Sequence, residues 1–436
     1  MVNSTSSTVY RVFRQTVAAF GDRSAIRFRR GGKYVRLAYR ELEANVMALR
    51  RALYRLGVRR GDRVAILSYN RPEWITADLA VQGLGAVTVP IYHTLPSSQV
   101  AFYLRDSGAV AVFTEDAQQS AKLLDTRHAT PPLPVRDVIQ FVGEPPVANG
   151  GMRAIPYAEL PFSASDDAEL DRALDEMEAL VTPDRTATFI YTSGTTGNPK
   201  GAMLCHTALL HTSWAARQVV HISESDVFLS FLPLCHVVER VGGYYLPISV
   251  GAEIVISEGP FALAQELAEA QPTAFICVPR VYDVVRERVM EGIRRMPPLS
   301  RALALWALRV GTKQAASRER GLSSGWMSAP AGWAADRLVL RKIRDRVSGG
   351  RIRFLVSGGA PLNPETGRFL QSLGLTVLEG YGLTEFPVIS LNIPGRVQLG
   401  SVGHALPEVE VRLADDGEIL VRGPSLMSGY WDQPEA

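Results

Sequence analysis

The densest chemistry in the sequence lies between Tyr191 and Gly201, which read Tyr-Thr-Ser-Gly-Thr-Thr-Gly-Asn-Pro-Lys-Gly. Thr192, Ser193, Thr195 and Thr196 stand among Gly194, Gly197 and Gly201, with Lys200 near the end. Glycines let a main chain approach an anion closely, hydroxyls donate further hydrogen bonds, and a lysine adds charge. Such a turn can surround phosphate with backbone N–H groups. It is not a Walker A loop, because GxxxxGK[ST] needs a hydroxyl after the lysine and Gly201 follows Lys200. A bare loop of small polar residues would read as a flexible surface connection; this ordered string does not.

A second cluster, Gly380-Tyr381-Gly382-Leu383-Thr384-Glu385, sets an aromatic ring, a hydroxyl and a carboxylate on a glycine-loosened turn. Such a ring can stack on a purine, the hydroxyl can donate to phosphate, and the carboxylate can hold Mg²⁺ through oxygen. Standing alone, the turn would be an ordinary strand end with an exposed carboxylate.

These residues need a scaffold, and the flanking sequence supplies one. Ala187–Tyr191 reads as a buried strand ahead of the first cluster, and Ala202–Val220, free of Gly and Pro, reads as a helix behind it. Ile352–Val356 leads into Ser357-Gly358-Gly359-Ala360-Pro361, and Thr376–Glu379 leads into the second cluster. Ligands of open α/β sheets collect beyond the carboxyl ends of strands, where both loops fall. Helices at Val9–Phe20, Tyr39–Leu56 and from Asn70, a hairpin around Gly31-Gly32, and strands within Gly61–Leu67 and Ala86–Ile91 alternate as in a largely parallel, helix-covered sheet. The stretch Asp125–Asp167 reads as a surface excursion, and Leu170–Leu180 as an acidic helix with a solvated face. An apolar strand ends at Pro233 with His236 on the loop beyond it, and two further strands, Ala252–Ile256 and Thr273–Val278, flank a helix at Phe261–Ala270. A basic helical region follows Pro279 to about Val347; its Arg and Trp content fits a solvated face better than an acidic surface or a membrane. From Gly400 onward short strands and turns suggest a small antiparallel β subdomain.

Composition narrows the function classes. The 436 residues suffice for two or three domains, and 46% hydrophobic with 21% charged residues is ordinary for a globular chain. A formal charge of +3 gives no case for nucleic acid. Cys205, Cys235 and Cys277 are scattered and odd in number, which suits a reducing cytoplasm rather than a disulfide framework or zinc site. Neither a signal peptide nor a membrane span is legible, which leaves room for peripheral contact at the inner face of the membrane.

Taken together, Gly61–Ile66, Tyr191–Gly201, Leu232–His236, Ser357–Pro361, Tyr381–Glu385 and Gly417–Tyr430 resemble, in order and spacing, the motifs of the AMP-forming acyl-adenylate synthetases. Phe231–Arg240, Gly242–Pro247 and Val278–Tyr282 are similar to the bacterial long-chain fatty acyl-CoA synthetases. The resemblance implies an α/β fold of mixed, largely parallel sheets covered by helices, with a small antiparallel β subdomain near the C-terminus. It implies a large N-terminal adenylation domain of two α/β subdomains over residues 1–399 and the start of a β subdomain over 400–436. It further implies that Thr192, Ser193, Gly194, Thr195, Thr196 and Lys200 hold the β- and γ-phosphates of ATP, with Gly197 in the same loop and Thr192 near Mg²⁺. Gly358, Gly359 and Ala360 would line the adenine and Tyr381 stack on it, with Glu379, Gly380 and Gly382 beside them. Thr384 would contact the α-phosphate, Glu385 bind Mg²⁺, and His236 sit where the acyl carboxylate meets the phosphate. The reaction implied is in-line attack of a long-chain fatty carboxylate on the α-phosphorus, then thioester formation with CoA.

Two departures from the pattern stand out. Phe386-Pro387-Val388-Ile389-Ser390 is about one residue shorter than the family's turn beside the magnesium carboxylate. The sequence also ends before the family's ribose-binding aspartate and small C-terminal domain, so this chain alone is expected to adenylate slowly and make little acyl-CoA. A synthetase that hands its adenylate to a carrier protein, and a non-catalytic nucleotide- or fatty-acid-binding fragment, are the alternatives.

Overall fold

The structure, a computed structural model, describes residues 6–124, 132–146, 151–160, 167–192, 198–319 and 329–435. The strands of the first half are β1 (Ser24–Arg30), β2 (Lys33–Ala38), β3 (Arg63–Leu67), β4 (Val87–Ile91), β5 (Ala111–Thr114), β6 (Asp137–Gln140), β7 (Arg153–Pro156), β8 (Thr186–Thr192) and β9 (Lys200–Cys205). Those of the second half are β10 (Val227–Ser230), β11 (Glu253–Ile256), β12 (Ala274–Cys277), β13 (Phe354–Ser357), β14 (Val377–Tyr381), β15 (Ser390–Leu391), β16 (His404–Ala405), β17 (Glu410–Leu413) and β18 (Ile419–Arg422).

They form two large sheets. One runs β7-β6-β5-β3-β4-β8-β9, parallel except for β8 with β9. The other runs β16-β15-β14-β13-β12-β10-β11-β1-β2, parallel through its centre and antiparallel at both edges. Helices cover both, as continuous apolar strands such as Ala-Val-Phe-Thr in β5 require, since all four residues are buried. In the second sheet alternate residues point to opposite faces. Phe228, Ile276 and Phe354 pack on one face with Ala215 of helix His206–Val219, and Leu229, Phe275 and Leu355 on the other with Leu267 of helix Leu263–Ala270. The two-stranded β17–β18 hairpin is the small antiparallel sheet expected near the C-terminus. No described helix is long and apolar enough to cross a membrane.

Two expectations need correction. Residues 202–205 are not helical: β9 returns antiparallel to β8, with Thr192 opposite Lys200, and the helix starts only at His206. Long-range pairing overrides the local reading, because Ala202 meets Ile190 on one side and Tyr430 on the other. The stretch expected to be a surface excursion supplies β6 and β7, and all four residues of β6 are buried. Its Asp137 is charge-matched there by Arg153, Nε to Oδ1 at 2.6 Å. Helix Ala168–Ala179 keeps the expected solvated face, with Glu169, Asp175 and Glu176 exposed, while some of its acids also tie it to the fold: Asp171 pairs with Arg51, Asp175 with Arg50 at 2.6 Å, and buried Glu178 accepts from Thr8 at 2.8 Å and from Arg11.

The two sheets meet at a buried polar joint. Asp78, on helix Pro72–Gly83 of the first sheet's layer, is fully buried and pairs with Arg240, also fully buried. Arg240 sits in a π-helical segment, Glu239–Tyr245, that follows β10. Tyr244 and Tyr245 donate to Asp78 Oδ2 at 3.0 and 2.9 Å, and Thr88 donates to Oδ1 at 2.7 Å. Arg240 also donates to the Tyr245 hydroxyl at 2.8 Å and lies 4.9 Å from the Trp74 ring centre. Burial, with Asp78 alongside, holds both tyrosine hydroxyls protonated far above their ordinary range.

The neighbouring Glu239 is fully buried, and burial pushes its carboxyl up to about 8 against the opposing influence of Ser230 and the Leu232 backbone. Gly243 is required beside it, since a Cβ there would lie 2.2 Å from Glu239 Oε1.

Arg240→Ala leaves Asp78 as an uncompensated buried charge and is expected to remove about 3–5 kcal/mol of stability. Denaturant unfolding measures this, and a loss under about 1 kcal/mol would contradict the joint. Glu239→Gln tests the second group. The folded carboxyl is raised above its unfolded value of 4.5 to about 8, so its contribution is full below 4.5 and lost as pH climbs through that window. The thermal midpoint of the variant should gain on the parent steadily between those values; a gap independent of pH would refute the assignment.

Candidate active site

Three of the candidate loops follow the carboxyl ends of β10, β13 and β14. The β8–β9 connection contains Ser193, Gly194, Thr195, Thr196 and Gly197, which lie outside the described residues. Its anchors are described: Thr192 ends β8 and Lys200 opens β9 directly opposite. Gly201 follows because a Cβ there would lie 3.2 Å from the Tyr191 ring. Tyr191 is itself fixed by its hydroxyl, which donates to Asp106 Oδ2 at 2.6 Å.

The C-terminal segment locks this hairpin to the second cluster. Met203 N–H donates to Gly429 O, Ser428 N–H to Met203 O, and Trp431 N–H to Gly201 O, at 2.9, 2.9 and 2.8 Å. Tyr430 thereby reaches both charged groups: its hydroxyl donates to Glu385 Oε1 at 2.5 Å, and Lys200 Nζ lies 5.0 Å from its ring centre. Met427 N–H donates to the Glu385 carbonyl at 2.8 Å. Lys200 and Glu385, nearly two hundred positions apart in sequence, are brought to one tyrosine. Sequence reading missed Tyr430 as a site residue; its signal was an aromatic pair directly after Gly429.

The glycines of the other two loops earn their places by close approach. Gly382 permits none of a side chain, since a Cβ would sit 2.2 Å from Pro387 O. That approach, with Leu383 N–H donating to Phe386 O at 2.9 Å, is how the shortened turn after Glu385 closes. A Cβ at Gly358 would meet Gly380 O at 3.5 Å, so the β13 and β14 loops abut. Gly358, Gly359, Gly380, Tyr381 and Gly382 line one narrow apolar cavity of about 90 Å³, while Ala360 is exposed and outside it. The cavity continues between Val241, Gly242 and Leu246 on one side and Phe228, Ile276 and Phe354 on the other. The Glu379 carboxylate accepts from Gly400 N–H at 2.9 Å and steadies that loop. Thr384 is half-buried beside Glu385.

His236 is half-buried on the loop beyond β10, and burial lowers its basicity. Its Nδ1 accepts from Val238 N–H at 3.2 Å, which assigns the proton of the neutral ring to Nε2. Asn70 holds the loop across the two sheets: it donates to Leu232 O at 2.7 Å and accepts from Leu234 N–H at 2.8 Å. Nothing in the sequence singled out Asn70, because a lone Asn before a helix reads only as a turn.

Thr192 and Glu385 offer hard oxygen donors of the kind Mg²⁺ takes. Among the described residues no group of three or more His, Cys, Asp or Glu could hold a metal.

Comparison with known proteins identifies the family. The family described as AMP-binding enzyme matches residues 13–431. The chain is 36% identical over 402 residues to the long-chain-fatty-acid–CoA ligase FadD15 of Mycobacterium bovis, covering 91% of the chain and 64% of that protein. It is 33% identical over 421 residues to the peroxisomal long chain acyl-CoA synthetase 6 of Arabidopsis thaliana, covering 92% of the chain and 57% of that protein. The chain thus spans less than two thirds of these relatives' length. Among solved structures, the N-terminal domain of FACL13 from Mycobacterium tuberculosis superposes with a TM-score of 0.70 at 21% identity, over 98% of the chain and 92% of that domain, a likeness of fold. With a family match across nearly its whole length, the chain belongs to the AMP-binding enzyme family.

Proposed function

We propose that the chain is the large adenylation domain of an AMP-forming ligase that activates a long-chain fatty acid with ATP and passes the acyl group to CoA. The observation that carries the reading is the apolar seam that runs from Tyr381 and Gly382 into the protein between Val241 and Ile276. An alkyl chain lying there would bring its carboxylate to the loops that hold Thr384, Glu385 and His236. The seam of about 90 Å³ is narrow for a ligand, and its aliphatic walls would part around a long chain. The named relatives, long-chain ligases and synthetases, support that choice of acid.

On this reading the protein contributes positioning and charge. The β8–β9 hairpin cradles the β- and γ-phosphates, Lys200 neutralises them, and Tyr381 stacks on the adenine beside Gly358 and Gly380. The Nε2 proton of His236 faces the carboxylate–phosphate junction as a neutral donor. Thr192 and Glu385 would hold Mg²⁺, which supplies charge neutralisation of the leaving pyrophosphate when bound. Tyr430 orients the Glu385 carboxylate through its 2.5 Å hydrogen bond. Residues 400–436 open the β subdomain in this scheme, although β16 remains paired with β15 across that boundary.

Pyrophosphate release dependent on both ATP and a long-chain fatty acid tests the proposal. Lys200→Ala and Glu385→Ala should each lower it by about 10²-fold or more. Tyr430→Phe should chiefly raise the Mg²⁺ concentration needed. Full activity in Lys200→Ala and Glu385→Ala, or release indifferent to the fatty acid, would defeat it.

A further inference from the structure

The cavity large enough for an amphiphile lies elsewhere. A groove of about 650 Å³ runs between helices Leu263–Ala270, Pro279–Arg294 and Arg341–Ser348. These helices cover the face of the second sheet that carries Leu229, Phe275 and Leu355, opposite the seam beside Tyr381. The volume falls within the roughly 300–1,000 Å³ of small-molecule sites.

Its floor is a helix stripe without a complete partner. Val281, Val285 and Val289 recur every fourth residue on helix Pro279–Arg294, on one face, and all three are only half-buried. Leu263 and Ile343 close the sides, and Met296, 40% exposed, stands at an open end. The charge around this apolar floor has one sign. Arg280, Arg288, Lys342 and Arg346 line the groove, and no acidic side chain does. Arg280 is 3.6 Å from Glu287, whereas among the described residues Arg288, Lys342 and Arg346 make no ion pair.

An aliphatic floor with an all-cationic border is complementary to a single alkyl chain bearing an anionic head. We propose that this groove is a second acyl site, which binds a long-chain fatty-acid carboxylate separately from the reacting one. The alkyl chain lies along Val281, Val285 and Val289, and the carboxylate is held by the unpaired cations. The groove's volume of about 650 Å³ suits one alkyl chain better than two, and the occupant is the free monomeric acid.

The test is a titration of the chain with a long-chain fatty acid carrying a conjugated-polyene fluorophore, kept below its micellar concentration. It is run with and without a saturating non-hydrolysable acyl-adenylate that blocks the seam. A saturable component should persist under the blocker. Arg288→Glu combined with Lys342→Glu should weaken that component about tenfold or more, and Val285→Trp should fill the groove and remove it. Thermal midpoints near the parent's confirm that the variants are folded. Complete displacement by the blocker, or binding untouched by both sets of substitutions, would overturn the proposal. So would capture by phosphatidylglycerol vesicles through Arg288 and Lys342 without binding of the monomeric acid, which would make the groove a membrane contact. If the adenylate analogue fails to bind, the substitutions alone decide, so this site and the proposed reaction are judged independently.

Discussion

The buried pair of Asp78 and Arg240 is the constraint on which the arrangement depends. Each residue comes from the layer of a different sheet, and neither touches water. A buried ion pair contributes little net stability compared with a well-packed apolar pair, because both charges must be desolvated. What it supplies is a single acceptable registration. Asp78 is satisfied only when Thr88 of its own sheet and Arg240, Tyr244 and Tyr245 of the other arrive together. The π-helical winding puts Arg240, Tyr244 and Tyr245 on one side while Val241 and Gly242 line the apolar seam. One segment therefore fixes the sheets and shapes the seam at once. Asn70 repeats the principle a few residues away, holding the His236 loop from the opposite sheet.

A second constraint joins the ends of the chain's functional half. The segment from Met427 to Trp431 pairs with β9 and carries Tyr430 to Glu385 and Lys200. A cation and a carboxylate this near one another could pair directly and withdraw from a ligand. Interposing a tyrosine gives the carboxylate a neutral donor and the ammonium an aromatic face. On the proposed reading, both charges then stay available for phosphate and metal.

Much of this was legible in the sequence, for identifiable reasons. The parallel strands announced themselves as short buried runs bounded by glycine and proline, and the candidate loops do follow their carboxyl ends. Gly358, Gly380, Tyr381 and Gly382 do line one cavity, and Lys200 and Glu385 do share a neighbour. What escaped was decided at long range. β9 reads as helix locally and becomes a strand because strand neighbours lie on both sides of it. β6 hides in a stretch of proline and glycine because four residues are too few for a period to show. The solvated face of helix Ala168–Ala179 was legible, whereas the partners of Asp171, Asp175 and Glu178, namely Arg51, Arg50 and Arg11, come from more than a hundred residues away and were not. Neither the exposure of Ala360 nor the bond from Gly400 N–H to Glu379 had any sign in the local sequence.

The central claim is that the glycine-lined cleft and the apolar seam form one continuous site for an acyl-adenylate. A thermal-shift titration of the chain with non-hydrolysable acyl-adenylate analogues of increasing alkyl length tests it most directly, because binding to the folded state raises the melting point by mass action. The account predicts stabilisation that grows as the tail lengthens, and that shrinks for every tail when Gly242→Leu narrows the seam. Stabilisation independent of tail length, or none at any length, would contradict it.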